Sequence, residues 1–145
     1  MFRGHLEFCS NFSRYPVPYD GYLFPTLENA FQSAKTTDRQ VRGAFVEMTP
    51  GQAKRAGRQL DLRIDWEAQK LPIMRKLLMA KFVTSPALVE HLLYTGNEHL
   101  VETNTWHDNE WGDCQCGAAK CAATGKNMLG NSLMWLRYYL AGGGS

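Results

Sequence analysis

A chain of 145 residues, 44% apolar and 21% charged with a formal charge of +2, has the make-up of one globular domain, able to bury roughly two-thirds of its unfolded surface and too apolar to stay disordered. No apolar stretch approaches the roughly 20 residues of a membrane span. Arg3 and His5 open a polar-alternating segment rather than a signal peptide, so a cytoplasmic protein is expected.

Phe2 to Cys9 alternates Phe2, Leu6 and Phe8 with Arg3, His5 and Glu7, the period of a half-buried strand. Asn11 to Gly21, holding Pro16, Pro18, Asp20 and Gly21, reads as a turn-rich loop. Tyr22-Leu23-Phe24 reads as a second strand paired with the first, a hairpin with a long tip. Thr26 then caps a helix with Leu27, Ala30, Phe31 and Ala34 on its apolar face, and Glu28, Gln32 and Lys35 share the neighbouring stripe. Thr49-Pro50 starts another helix that Gly57 stops.

Asp65 caps a longer helix, about Trp66 to Phe82, that buries Trp66, Ile73, Met74, Leu77 and Leu78; Pro72 predicts a kink or a late start. Ser85-Pro86 begins a short helix with Leu88, Leu92 and Leu93 inward and Gly96 after its end. His99 to Thr105 alternates as a strand. Gly125 to Asn127 precedes a last helix striped by Leu129, Leu133, Leu136 and Leu140. Together these elements predict one compact, mostly helical α+β domain over residues 1–141 with a few short strands, followed by a flexible Gly-rich tail at 142–145. No glycine-rich loop follows a strand in the manner of dinucleotide or phosphate-loop sites.

Charge is uneven: Lys35 to Arg63 holds seven basic and three acidic residues, whereas Glu98 to Asp113 holds five acids and neither Lys nor Arg. The first segment suits phosphates and the second catalytic carboxylates, although both fit solvated faces. Cys114, Cys116 and Cys121 form a Cys-x-Cys-x4-Cys cluster distant in sequence from Cys9. They are candidate metal ligands, with His107 or Cys9 as a fourth, but the spacing departs from paired zinc motifs. The expectation is free thiols in a Gly/Ala-rich loop and no metal or other cofactor.

The most informative stretch places Asp108, Trp111 and Gly112 shortly before Gly125-Lys126-Asn127-Met128-Leu129-Gly130. An acid, a large ring and a glycine-punctuated helix entrance suit a flat ligand held beside a carboxylate. Breaking a bond at a sugar carbon builds positive charge there, so such a site needs a carboxylate, a proton source for the leaving base and an aromatic surface. Glu28 and Asp108 are the acids to pair, Trp66 and Trp111 the stacking candidates, and Lys35, Arg63 and Lys126 the phosphate holders. Each also fits a plainer role: Glu28 in a surface row with Gln32 or Lys35, Asp108 in a turn, the tryptophans in the core, Asn127 as a helix cap.

Asn11-Phe12-Ser13, the run Phe24 to Thr36, Ala53 to Arg58, Leu62 to Trp66, Lys81-Phe82, Leu93 to Gly96, Asp108 with Trp111-Gly112, and Gly125 to Gly130 with Leu133-Met134 stand in the order seen in the NADAR domain family. The chain resembles that family from about Phe8 to Arg137. The resemblance implies a helix-dominated α+β fold and an N-glycosidase that splits a ribose C1–N bond. Its substrate would be an early riboflavin-pathway ribosylaminopyrimidine phosphate or ADP-ribosylated guanine in a nucleotide or nucleic acid. It implies Glu28, Asp108 and Lys35 as catalytic residues, and Asn11, Phe12, Arg63, Trp66, Trp111, Gly112, Lys126 and Asn127 as substrate-binding ones. Two departures stand out: Asn29 where the family often has His, and the Cys114 to Cys121 insert. A different class of function, a module that binds ADP-ribose or a related nucleotide without cleaving it, fits the same motifs. A nucleic-acid substrate would call for a basic rim, for which Arg39, Arg42, Lys54, Arg55 and Arg58 are candidates.

Overall fold

The computed structural model describes residues 1–143. The fold is α+β and mostly helical, as predicted, with four short strands among the described residues. Two compact units are distinguished: Asn11–Ala87, and Met1–Ser10 together with the chain from Leu88 onward.

In the unit Asn11–Ala87, Val17–Tyr19 (β1) and Tyr22–Phe24 (β2) pair antiparallel, Val17 opposite Phe24 and Tyr19 opposite Tyr22. The connection is Asp20 and Gly21 alone, both at positive φ (51° and 80°). Asp-Gly favours this type I′ turn because its twist matches that of the flanking strands. The strand expected at Phe2 to Cys9, and its pairing with Tyr22-Leu23-Phe24, are thus corrected: Gly4–Cys9 is a 3-10 helix, opened by Gly4 at φ 59°. The supposed loop supplies the real partner, and Pro18 is tolerated because a two-stranded sheet has only edges.

Leu27–Ser33 (α1) starts at Thr26, whose hydroxyl accepts the Asn29 amide, and every residue of α1 is buried. It packs against Pro50–Gly57 (α3) and Trp66–Thr84 (α4). Between α1 and α3 lies Arg39–Gly43 (α2), capped by Asp38 and not foreseen in the sequence. Asn29 ties the α2–α3 segment to α1, donating from Nδ2 to the Phe45 (2.9 Å) and Met48 (2.8 Å) carbonyls. α3 begins with a full capping box, Thr49 with Gln52, and Pro50 in its first turn.

α4 begins at Trp66, not late at Pro72, and buries the five residues expected. Pro72 leaves the Ala68 carbonyl without its helical donor; both residues are exposed, so water can satisfy it. Asp65 precedes the helix but its side chain makes no cap bond, being committed to Arg63.

In the other unit, Ala87–Tyr94 (α5) buries Leu88 and Leu92, while Leu93, expected inward, is 37% exposed. Gly96, at φ 56°, follows its end. The strand predicted over His99 to Thr105 shrinks to Thr103–Asn104 (β3), which pairs in parallel with Asp113–Cys114 (β4). The N-terminal segment joins here, the Phe2 amide donating to Glu102 Oε2 at 3.0 Å.

Met128–Tyr138 (α6) buries Leu129, Leu133 and Leu136; Leu140 falls in a π-helical turn, Tyr139–Gly143, and is half-buried. Gly142 within that turn sits at φ 93°, and the rest of the predicted tail, 144–145, lies outside the described residues. Among the described residues no helix is long and apolar enough to cross a membrane.

Candidate active site

Around α1 the structure gathers six of the predicted residues. The Glu28 amide donates to the Asn11 carbonyl at 3.0 Å, and the Arg63 amide to the Lys35 carbonyl at 2.8 Å. Both ends of the Glu28 to Lys35 stripe are thereby pinned by the segments carrying Asn11 and Arg63. The stripe is not a solvated row: Glu28 is 7% and Gln32 5% exposed, and Gln32 Nε2 donates to Glu28 Oε1 at 2.8 Å. Phe12 lies with the Lys54 ammonium 5.9 Å from its ring centroid.

Trp66 is buried, its ring 5.1 Å from that of Phe31, with Lys35 Nζ 6.0 Å from its centroid. Burial pushes the Lys35 ammonium below the ordinary lysine range, Glu28 opposes this, and Arg58 and Lys54 add to the lowering. A lysine with a weakened hold on its proton beside a buried glutamate has the chemistry a proton-transfer pair needs. Gln32 Oε1 and Asn11 Oδ1 are buried with no protein partner, so two acceptors there are available to ligand donors. Gln32 was not among the predicted site residues; its i+4 spacing from Glu28 was the available signal.

Arg63, expected to hold phosphate, forms a two-point pair with Asp65, Nε to Oδ1 at 2.6 Å and Nη2 to Oδ2 at 3.1 Å. It also borders a hollow of about 240 Å³ with Tyr19, Ile73 and Lys76.

In the second unit, Asp108, Trp111 and Gly112 are strapped to the Gly125 to Gly130 run by backbone bonds. The amides of Lys126, Asn127, Met128 and Leu129 donate to the carbonyls of Asn109, Gly112, Glu110 and Trp111 at 2.8–3.1 Å. The first amides of α6, which have no partner inside their own helix, are thus satisfied by the Trp111 turn. Asp108 Oδ1 accepts the amides of Glu110 (3.1 Å) and Trp111 (2.9 Å), so its carboxylate shapes that turn and is fixed in direction. Trp111 is half-buried and Trp66 buried; of the two rings, Trp111 keeps more surface for a flat ligand.

Asn127 is no helix cap. Its backbone is left-handed (φ 50°) and its side chain makes no cap bond; Nδ2 donates to the Leu100 carbonyl at 2.9 Å and Oδ1 accepts the Glu102 amide at 3.0 Å. The glycines also find structural reasons. A Cβ on Gly112 would strike the Glu102 carbonyl, on Gly125 the Gly112 carbonyl, and on Gly130 the Leu100 carbonyl and the Asn127 side chain. Lys126 is exposed and borders, with Asn127, Gly125, Asp113 and His99, a hollow of about 350 Å³.

Four donors meet beside this turn: His107, Cys114, Cys116 and Cys121 place one ligand atom each within 4.8 Å of one another. The fourth member of the cysteine cluster is therefore His107 and not Cys9.

A buried acid beside a burial-weakened lysine thus lies in a small, mostly helical α+β fold. The NADAR domain family matches residues 2–141, and the chain belongs to it. It is 41% identical over 135 residues to the N-glycosidase YbiA of Escherichia coli, covering 91% of this chain and 80% of that protein. An N-glycosidase of Nostoc punctiforme is 36% identical over 101 residues, covering 66% and 65%. The chloroplastic riboflavin biosynthesis protein PYRR of Zea mays is 32% identical over 151 residues, covering 92% of this chain and 23% of that protein. The NMR structure of E. coli YbiA superposes with a TM-score of 0.80 at 38% identity, covering 97% of this chain and 83% of that one. The protein is a hydrolase of the N-glycosidase class.

Proposed function

We propose that this N-glycosidase hydrolyses the ribose C1–N bond of a phosphorylated ribosyl-base. The observation that carries the reading is the buried Glu28–Gln32 pair next to Lys35. As the C1–N bond breaks, its electron pair goes to the base nitrogen and positive charge spreads over C1 and the ring oxygen; an anionic Glu28, held in place by Gln32, stabilises that charge. Lys35, with its proton loosened by burial, donates to the leaving nitrogen. Water then adds to C1, and its surplus proton passes to the Lys35 amine left neutral by the first step, restoring the ammonium. Asp108 and Trp111, which the family resemblance also implies for this chemistry, are held within their own unit, where the amides of Glu110 and Trp111 aim the Asp108 carboxylate.

Within this class a mononucleotide-sized ribosylaminopyrimidine phosphate is favoured over ADP-ribosylated guanine in a strand. Of the five basic residues expected to form a rim, Arg42 pairs with Asp20 at 3.0 Å and Arg39 at 3.7 Å. That removes part of the charge a nucleic-acid backbone would meet. The relative from Zea mays carries riboflavin biosynthesis in its name, which points the same way.

The test is mass spectrometry of base release from both substrate types, with wild type and Glu28→Gln. Wild type is expected to release the base from the aminopyrimidine substrate, and Glu28→Gln to lose about 10²–10⁴-fold in kcat while keeping its far-ultraviolet spectrum. Binding of either compound without any release, or full turnover in folded Glu28→Gln, overturns the assignment.

A further inference from the structure

We infer that His107, Cys114, Cys116 and Cys121 form a closed structural zinc site that clamps the turn bearing Asp108 and Trp111. The four donor atoms lie within 4.8 Å of one another, and His107 Nδ1 stands 3.4 Å from Cys116 Sγ and 3.5 Å from Cys121 Sγ. A tetrahedral zinc with bonds of about 2.3 Å to sulfur and 2.0 Å to nitrogen separates its ligands by roughly 3.5–3.8 Å. The observed spacings bracket that range, so a small contraction closes the shell.

The surroundings suit thiolate ligands. The Ala118 amide donates to Cys116 Sγ at 3.4 Å. Such amide-to-sulfur bonds orient ligands and spread their negative charge once a cation is present.

Seven of the ten residues 115–124 are exposed, and the other three are Cys116, Ala118 and Cys121. The loop therefore has no apolar core of its own, and hydrophobic burial cannot hold it. His107 sits at φ 70° and Gly117 at φ 80°; a histidine in the left-handed region costs about 1 kcal/mol or more and persists where its surroundings fix it. A disulfide would use two of the three thiols and give the imidazole no part. Three thiolates and an imidazole select zinc among common cytosolic divalent ions.

Four protein ligands leave no open position, so the ion takes no part in the hydrolysis. Its effect is positional. His107 immediately precedes Asp108 and Cys114 follows Gly112 by two residues, so one ion fixes both ends of the segment carrying Asp108 and Trp111.

The full chain, produced without a histidine tag, is analysed by elemental mass spectrometry and then reconstituted with Co²⁺ after chelation. The expected result is about one zinc per chain, and a cobalt spectrum with the visible bands and thiolate charge-transfer band of tetrahedral sulfur-rich coordination. Cys121→Ser should weaken zinc retention against a competing chelator by at least the roughly 100-fold that outer-shell losses alone can cause, and Cys9→Ser should leave it unchanged. If Cys121→Ser fails to fold, the wild-type cobalt spectrum decides. A folded wild-type chain that holds less than about one-tenth of an equivalent of zinc after exposure to it, and shows no thiolate band with cobalt, overturns the proposal. So does zinc content that Cys9→Ser abolishes.

Discussion

Asn127 separates two accounts of the same residue. As an N-cap it would tolerate Ser or Asp and lose only about 1 kcal/mol on replacement by Ala. As the bridge seen here, it satisfies the Leu100 carbonyl through Nδ2 and the Glu102 amide through Oδ1, both on buried residues. Asn127→Ala orphans both groups, at about 1–3 kcal/mol each. With some relaxation the expected loss is about 3–5 kcal/mol, or roughly 10–20 °C in Tm for a chain of this size. Serine is too short to reach both partners, so Asn127→Ser should lose nearly as much. Urea unfolding followed by tryptophan fluorescence at neutral pH measures both variants. An Asn127→Ser protein within about 1 kcal/mol of wild type would refute the bridge and restore the cap.

Gly57→Ala tests the support of the acid. A Cβ there meets the Gln32 side-chain amide, so overpacking of about 1–3 kcal/mol outweighs the helix-propensity gain of roughly 1 kcal/mol, and kcat falls as Gln32 is pushed off Glu28. A variant with raised Tm and undiminished turnover would show that Gln32 can move at no cost. Two groups set opposite trends with pH. Burial raises the Glu102 carboxyl above its ordinary 4.5, with the Met1 ammonium and the Phe2 amide opposing. Its stabilising influence is therefore complete below about 4.5 and is lost as pH climbs through the raised folded value. Wild type should lose stability relative to Glu102→Gln as pH rises above 4.5, and a difference that stays constant with pH in denaturant titrations would contradict this. Lys35 is lowered from 10.5, so its ionisation costs stability at neutral pH and the cost fades as pH rises through its folded value toward 10.5. Lys35→Met should flatten that alkaline gain; an unchanged slope would sink it.

Signals that act over a few residues were legible in the sequence. Thr26, Thr49-Pro50 and Gly96 mark their helix ends because caps and left-handed stops are local chemistry. Phe2 to Cys9 misled because alternation reports which side chains are buried, not which backbone partner exists. Phe8 is buried from the 3-10 turn and Phe2 from the extended residues before it, while Asp20-Gly21 supplied a hairpin signal that two prolines nearby had masked. His99 to Thr105 failed for the same reason: only the residues facing Asp113 and Cys114 gain a ladder. Asp65 was read as a cap from its position, but a carboxylate two residues from Arg63 can form two charge-assisted bonds there, which outweigh a single amide.

The glycine-punctuated motif shows how structural and chemical demands share one stretch of sequence. Gly112, Gly125 and Gly130 are required because carbonyl oxygens of neighbouring segments occupy the space of a Cβ, and Asn127 because a left-handed residue must also bridge two backbone groups. None of these needs a ligand. What they build is a rigid seat in which the α6 amides are spent on the Trp111 turn and Asp108 is aimed by the Glu110 and Trp111 amides. A carboxylate that must meet developing charge gains from such fixation, because no reorganisation is left for the moment of reaction. In the proposed hydrolysis the motif contributes Asp108 and Trp111, and its glycines and Asn127 act by holding those two still.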